Sequence, residues 1–254
     1  MRVAIVTGGS AGLGVEFVRG IERRFDVDEI WMVARREEPM VKLASSLEGV
    51  VGVPVVADLA TDEGVGVLID RMERERPDLK LLVNNAGFGH IGRFSEMEDA
   101  RVSQMMDLNV KSLARLTLAG LKWMNRGASI IQVASVLGFI PASGWSLYSA
   151  SKAFVISFSC GLSGELRSRG IGCTVCCPGP MKTEFYDVAG EAPDIPFMLK
   201  PGAVADLALA HARRGKMISV KGIMMKLTAF FFSKILPRGL FVWATRRTLE
   251  KQAG

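Results

Sequence analysis

The sequence predicts a single α/β domain: a doubly wound parallel sheet of about seven strands with helices on both faces. Three observations carry this expectation. Apolar runs suited to buried strands alternate with longer segments of helical periodicity. A glycine cluster directly follows the first run and opens the first helix. No repeat, low-complexity tract or linker divides the 254 residues, a length that suits one large domain.

The strands are expected, in chain order, at 3–6, 29–33, 50–57, 79–83, 129–134, 171–177 and 217–220. Runs such as Val3-Ala4-Ile5-Val6 lack the polar alternation of a half-exposed strand, as expected where helices cover both faces of a parallel sheet. Helical periodicity places helices at 14–24, 39–47, 63–76, 101–123, 146–169 and 203–213. Right-handed crossovers then wind the sheet both ways. Between 178 and 201 the prolines Pro178, Pro180, Pro193, Pro196 and Pro201 break the pattern. A long loop is expected there, of the kind that forms lids and binding loops.

With 49% hydrophobic and 23% charged residues, the chain is a packed globular protein and not a disordered one. Strand-like sequence begins at Arg2, so no signal or transit peptide is expected. No run reaches the ~18 uncharged apolar residues of a spanning helix, and the cytoplasm is the expected location. Cys173 and Cys176 have metal-like or redox-like spacing. They lie in a strand-like run, where positions three apart face opposite sides, so buried, reduced thiols are expected. His90 and His211 lack ligand-like neighbours, and no metal site is expected. Net charge is +6, and eight basic residues against one acid, Glu250, lie between 216 and 251. The positive excess therefore belongs to a basic, apolar C-terminal extension of about 221–254.

Thr7-Gly8-Gly9-Ser10-Ala11-Gly12-Leu13-Gly14 follows the first strand. Glycines let a backbone turn sharply and approach a pyrophosphate, which the helix N-terminus then attracts. Gly8, Ser10, Gly12, Leu13 and Gly14 are the candidate contacts. An acid after the second strand would hydrogen-bond the ribose hydroxyls of NAD. This chain has Arg35 and Arg36 there, the group expected for a 2′-phosphate. NADP(H) is therefore expected over NAD(H), with Arg35 as the main contact. Asp58 and Leu59 follow the third strand, where the adenine amino group is expected. Asn85, Ala86 and Gly87 follow the fourth, where small and amide side chains border the cofactor crevice.

Tyr148 and Lys152 are four residues apart and share a helix face. A tyrosine normally titrates near 10, and an ammonium together with an oxidised nicotinamide beside it would favour the phenolate. Ser135, just past the fifth strand, faces the same crevice and can hold a substrate oxygen. Asn109 lies inside a helical segment. It is read as a surface residue, a kink, or the holder of a water that links Lys152 to solvent.

The glycine motif, Asn84-Asn85-Ala86-Gly87, Asn109, Ser135, the Tyr148/Lys152 pair and Pro178-Gly179 resemble the short-chain dehydrogenase/reductase family in order and interval, over about residues 1–220. That resemblance implies a Rossmann-type fold and hydride transfer between a nicotinamide and a carbonyl or alcohol. It implies Tyr148 as general acid in reduction and Lys152 as the group that lowers its pKa and binds the nicotinamide ribose. It further implies Ser135 as the oxygen-positioning group, Asn109 in a proton relay, and Thr183 near the carboxamide. Met181 stands where the family often has valine or isoleucine.

Leu137, Phe139, Ile140 and Trp145, with Phe185, Tyr186, Phe197 and Met198 from the loop, suggest an apolar pocket for a steroid, acyl chain or aromatic ketone. The expected partners are a small lipophilic carbonyl or alcohol and further copies of the chain, as a homodimer or homotetramer. The tail, with Phe230, Phe231, Phe232, Phe241 and Trp243 among its lysines, has two readings. It lies on an anionic membrane surface, or it packs over the substrate site or a subunit interface. Its interleaved phenylalanines and methionines argue against nucleic acid. The alternative function is a non-catalytic NADP-binding sensor or scaffold, whose mark would be a lost tyrosine or lysine.

Overall fold

The computed structural model describes residues 1–190 and 198–252, so Pro193, Pro196 and Phe197 lie outside the described residues. Seven strands form one parallel sheet: β1 (Arg2–Thr7), β2 (Glu29–Ala34), β3 (Val51–Val56), β4 (Asp78–Asn84), β5 (Ser129–Val133), β6 (Gly172–Cys176) and β7 (Ile218–Ser219). Their order is β3-β2-β1-β4-β5-β6-β7. The winding direction therefore reverses between β1 and β4, which opens a crevice at their carboxyl ends.

Period-two alternation divides the sheet's side chains between two cores. Val3 and Ile5 join Trp31, Leu79 and Leu82 on one face, and Ala4 and Val6 join Phe17, Met32 and Leu81 on the other. The first face is covered by α3 (Asp62–Glu75), α5 (Leu113–Gly120) and α6 (Ser146–Glu165), through Leu68, Leu116 and Leu162. The second is covered by α1 (Gly12–Arg24), α2 (Glu37–Ala44) and α8 (Pro201–Arg213), through Ile21, Met40 and Leu209. The thiols follow the same alternation. Cys173 faces the first core, Cys176 the second, and all four cysteines are free.

Helix boundaries differ from the sequence expectation where local chemistry decides them. α2 starts two residues early because a first-turn proline, Pro39, has no N–H to satisfy. α8 likewise takes Pro201 as its first residue. The helix expected at 101–123 is α4 (Asp99–Met106) and α5, joined by a π-helical turn at Asp107–Ser112. The widened turn contains Asn109, which is buried, so the kink reading holds and the surface reading does not.

After the short helix α7 (Phe185–Ala189) and α8, the tail is helical, which sequence periodicity had not assigned. It comprises α9 (Ile223–Leu227), a π-helical turn at Thr228–Phe232, α10 (Ser233–Ile235) and α11 (Arg238–Gln252). Among the described residues, no helix is long and apolar enough to cross a membrane.

The turn after β1 depends on two glycines. Gly8 has φ +68°, and a Cβ on Gly14 would lie 1.9 Å from the Gly8 carbonyl oxygen. Gly14→Ala must therefore push α1 off the turn. A loss of at least 1–3 kcal/mol in unfolding free energy is expected, together with weaker dinucleotide binding. Urea denaturation and cofactor titration check both, and a variant as stable as wild type contradicts this packing.

Candidate active site

The crevice is built from backbone first. The Thr7 hydroxyl accepts hydrogen bonds from the N–H groups of Asn85 and Ala86, each at 2.9 Å. Asn85 Nδ2 donates to the Thr7 carbonyl at 2.9 Å. These bonds tie the carboxyl ends of β1 and β4 together. The Gly8 N–H donates to Val33 O at 2.8 Å, which secures the turn to β2 as well. The cavity over this junction has a volume of about 670 Å³.

Gly8, Ser10, Gly12 and Leu13 line its floor, and Arg35, Arg36, Asp58 and Leu59 line one end. Asn85, Ala86 and Gly87 border its middle. Pro178, Gly179 and Thr183 reach over from the segment after β6, and Thr183 packs on Gly12, whose φ is +52°. Gly14 does not line the cavity; its role is the helix packing described above. The chain's surface fits an extended dinucleotide here. Glycines keep the floor bare, and the N-terminus of α1 points its free N–H groups at the site. Two arginines stand where an acid would repel a phosphate. Arg35 is mostly exposed, with its guanidinium 3.9 Å from Asp58. Arg36 pairs with Glu184 at 2.7 Å. Asp58 Oδ1 accepts the Ala60 N–H at 3.0 Å, so part of this carboxylate is engaged in its own turn.

The opposite end gathers the polar groups. Ser135, Tyr148, Lys152 and Asn109 are all buried, and the first three line the cavity. Lys152 Nζ donates to Val133 O at 2.9 Å and lies 5.7 Å from the Tyr148 ring centre. Asn109 sits one layer back. Its Oδ1 accepts from Phe88 N at 3.1 Å, and its Nδ2 donates to Phe88 O at 3.0 Å and Ser151 Oγ at 3.1 Å. A Cβ on Gly87 would lie 2.9 Å from Asn109 Oδ1 and 3.3 Å from Lys152 Nζ. Glycine is therefore required here, because a side chain would press on both polar groups.

Burial dominates the electrostatics of this end. It raises the Tyr148 pKa, and the hydrogen bond with Ser135 only partly opposes this. Burial also pushes Lys152 itself down from 10.5 to about 8, because an ammonium loses its hydration in this wall.

The aromatic wall also departs from expectation. Leu137, Trp145, Phe185 and Tyr186 line the cavity, whereas Phe139, Ile140 and Met198 do not. Phe139 turns instead to Phe230 of the tail, 6.0 Å between ring centres. Met198 precedes Leu199, whose backbone bridges that of Met181. Trp145 and Phe185 stack 6.4 Å apart and flank Tyr148. Sequence reasoning missed Arg101, whose guanidinium donates to Val188 O at 2.9 Å and covers the Phe88 ring. It also missed Thr245, whose hydroxyl accepts the Ser143 N–H at 2.8 Å. Both line the cavity. No local signal marks Thr245; only the folding back of the tail brings it there.

A doubly wound sheet with a buried tyrosine–lysine pair over its switch point defines a class of oxidoreductases. The short chain dehydrogenase family model matches residues 2–193, and the chain belongs to the short-chain dehydrogenase/reductase family, oxidoreductases acting on alcohols and ketones. Sulfoacetaldehyde reductase 2 of Chromohalobacter salexigens is 35% identical over 191 residues, which cover 72% of this chain and 74% of that protein. Other curated relatives are longer, and the chain spans 65% and 45% of two of them. A short-chain dehydrogenase from Sphingobium yanoikuyae, solved in complex with NADPH, is 26% identical with a TM-score of 0.81, over 99% of this chain and 96% of that one. The bulky-bulky ketone specific alcohol dehydrogenase from Comamonas testosteroni is 25% identical with a TM-score of 0.76, over 99% of this chain and 94% of that one.

The depressed lysine has a measurable consequence. Below pH 8 both folded and unfolded chains carry the ammonium, and its burial costs the fold its full amount. Between about 8 and 10.5 the unfolded chain binds more protons at this site, so stability rises with pH. Relative to Lys152→Met, the wild type is expected to gain ~3 kcal/mol of unfolding free energy across that window. Urea denaturation of both proteins without dinucleotide reads this difference, in which the other titrating groups cancel. A pH-independent difference contradicts the buried ammonium.

Proposed function

We infer that the protein is an NADPH-dependent carbonyl reductase, or the reverse alcohol dehydrogenase, acting on a lipophilic substrate. The observation that carries this reading is Tyr148, buried and lining the cavity together with Ser135 and Lys152, whose Nζ lies 5.7 Å from its ring centre. When bound, the nicotinamide supplies the hydride to the carbonyl carbon. Ser135 donates a hydrogen bond to the substrate oxygen and orients it. Tyr148 transfers its phenolic proton to that oxygen as the C–O double bond becomes single. The resulting phenolate lies near the Lys152 ammonium, which stabilises it. Asn109, which the Phe88 backbone holds behind this end of the cavity, supports the relay that returns a proton towards solvent. In oxidation each transfer reverses.

Two arginines at the adenosine end support the 2′-phosphorylated cofactor, as does the NADPH held by the Sphingobium neighbour. Leu137, Ile91, Val188, Trp145 and Phe185 around the catalytic end support an apolar ketone, as does the ketone preference of the Comamonas enzyme. Exposed Leu118 and Phe154 on α5 and α6 support self-association through those helices.

Tyr148→Phe is expected to reduce turnover on the order of 10²–10⁴-fold while leaving NADPH affinity within a few-fold. Stopped-flow oxidation of NADPH over a panel of steroids, acyl thioesters and simple ketones measures this. Cofactor binding without turnover of any panel member favours a sensor or scaffold instead. Arg35→Asp is expected to weaken NADPH on the order of 10–100-fold, the worth of a charge-assisted phosphate bond, and to spare NADH. An unchanged ratio of the two affinities removes Arg35 as the selector.

A further inference from the structure

The reaction leaves the C-terminal segment unexplained, and that segment is inverted relative to an ordinary surface helix. Residues 223–235 run helically through α9, the π turn and α10. The inward face holds Met225 and Ala229: Ala229 is buried in the third core cluster, and Met225 packs on Gly179. The outward face should be polar. It carries instead Ile223, Leu227, Phe231 and Ile235, spaced four apart, flanked by Met224 and Phe230. Ile223 is 78%, Phe231 51% and Ile235 60% exposed. A contiguous outward stripe of this kind marks an interaction surface.

Charge identifies the partner. The sequence contains no Asp or Glu between Asp206 and Glu250. Lys226 and Lys234 flank the stripe, and Lys221 and Arg238 stand at its ends. Among the described residues none of these four is in an ion pair, although surface cations elsewhere on the chain, such as Lys111 and Lys122, are paired. An apolar stripe bordered only by cations complements an interface whose headgroups are negative and whose interior is hydrocarbon. A protein partner would have to supply both an apolar groove and an acidic rim. The cations beside Leu118 on α5, Arg115 and Lys122, are by contrast paired with Asp62 and Glu73.

The same segment borders the cavity. α11 is clamped to the mouth by Ser143, whose N–H donates to Thr245 Oγ1 and whose hydroxyl donates to Val242 O at 3.2 Å. Leu240 and Val242 of that helix are exposed. We propose that residues 221–246 form a docking surface for an anionic lipid bilayer, which seats the cavity mouth at the membrane surface. The segment lies on the bilayer and does not cross it. A lipophilic molecule dissolved in the bilayer then reaches the cavity beside Thr245 without passing through bulk water.

The test is flotation of the full chain with vesicles of phosphatidylcholine alone or of equal parts phosphatidylcholine and phosphatidylglycerol. It needs no turnover, so its outcome is independent of the reaction proposed above. Binding to the anionic vesicles, reversed by high salt, is expected. Lys226→Gln/Lys234→Gln is expected to lower the partition coefficient ~30-fold, about fivefold per cation removed. Phe231→Ser/Ile235→Ser, which alters only outward side chains, is expected to abolish partitioning with an unchanged circular dichroism spectrum. Wild-type protein that stays unbound with anionic vesicles, or binds neutral ones equally, overturns the proposal. So does a serine variant that changes only the oligomer size in sedimentation, because the stripe is then a contact between copies of this chain.

Discussion

The structure depends on the bond network that joins β1 to β4. Thr7 and Asn85 fasten the ends of two strands that are far apart in sequence and run side by side in space. At that seam the sheet changes its winding direction, and the connections leave to opposite sides. A crevice must open there, because no crossover helix can cover both strand ends at once. The glycine turn, the amide of Asn85 and the bare surface of Gly87 are consequences of keeping that crevice narrow-walled and free of side chains. The position of the site is thus a topological result, and the side chains only decide what it does.

The polar end of the crevice illustrates how burial and local charge compete. Tyr148 and Lys152 are drawn in opposite directions by one cause, the loss of hydration. The phenol is held protonated and the ammonium becomes easier to deprotonate. A protonated phenol is the form a reductase needs at the start of its proton transfer. The lysine is kept in place by the Val133 carbonyl, and Asn109 is kept in place by both backbone groups of Phe88. The π turn is the structural means by which a helix can present an amide inward at that depth. The irregular turn lies directly behind the candidate site.

The tail connects the reaction end to the exterior. It contributes Phe230 against Phe139 and Thr245 to the cavity, so removing Phe139 from the substrate wall and placing a hydroxyl there are effects of one segment folding back. Its outward face carries apolar groups among cations. The same stretch of chain therefore shapes the inner boundary of the site and sets the character of the surface around its mouth.

Much of the fold was legible in the sequence because its signals are local. Apolar runs, helical periodicity and glycines after the first strand each act over a few residues, and they located all seven strands and the crevice that Gly8, Tyr148 and Lys152 share. The arginines after β2 and the tyrosine–lysine spacing are likewise read from adjacent positions. What depended on distant packing was not legible. Asn109 looked ambiguous until the π turn and Phe88 surrounded it. The direction of the Tyr148 shift required knowing that the phenol is buried. Phe139 and Met198 were exchanged for Arg101 and Thr245 in the cavity wall. Sequence by itself determined the strands, most of the helices that cover them and the candidate site residues. Tertiary structure alone decided which of them lose water, because desolvation depends on what the rest of the chain brings alongside.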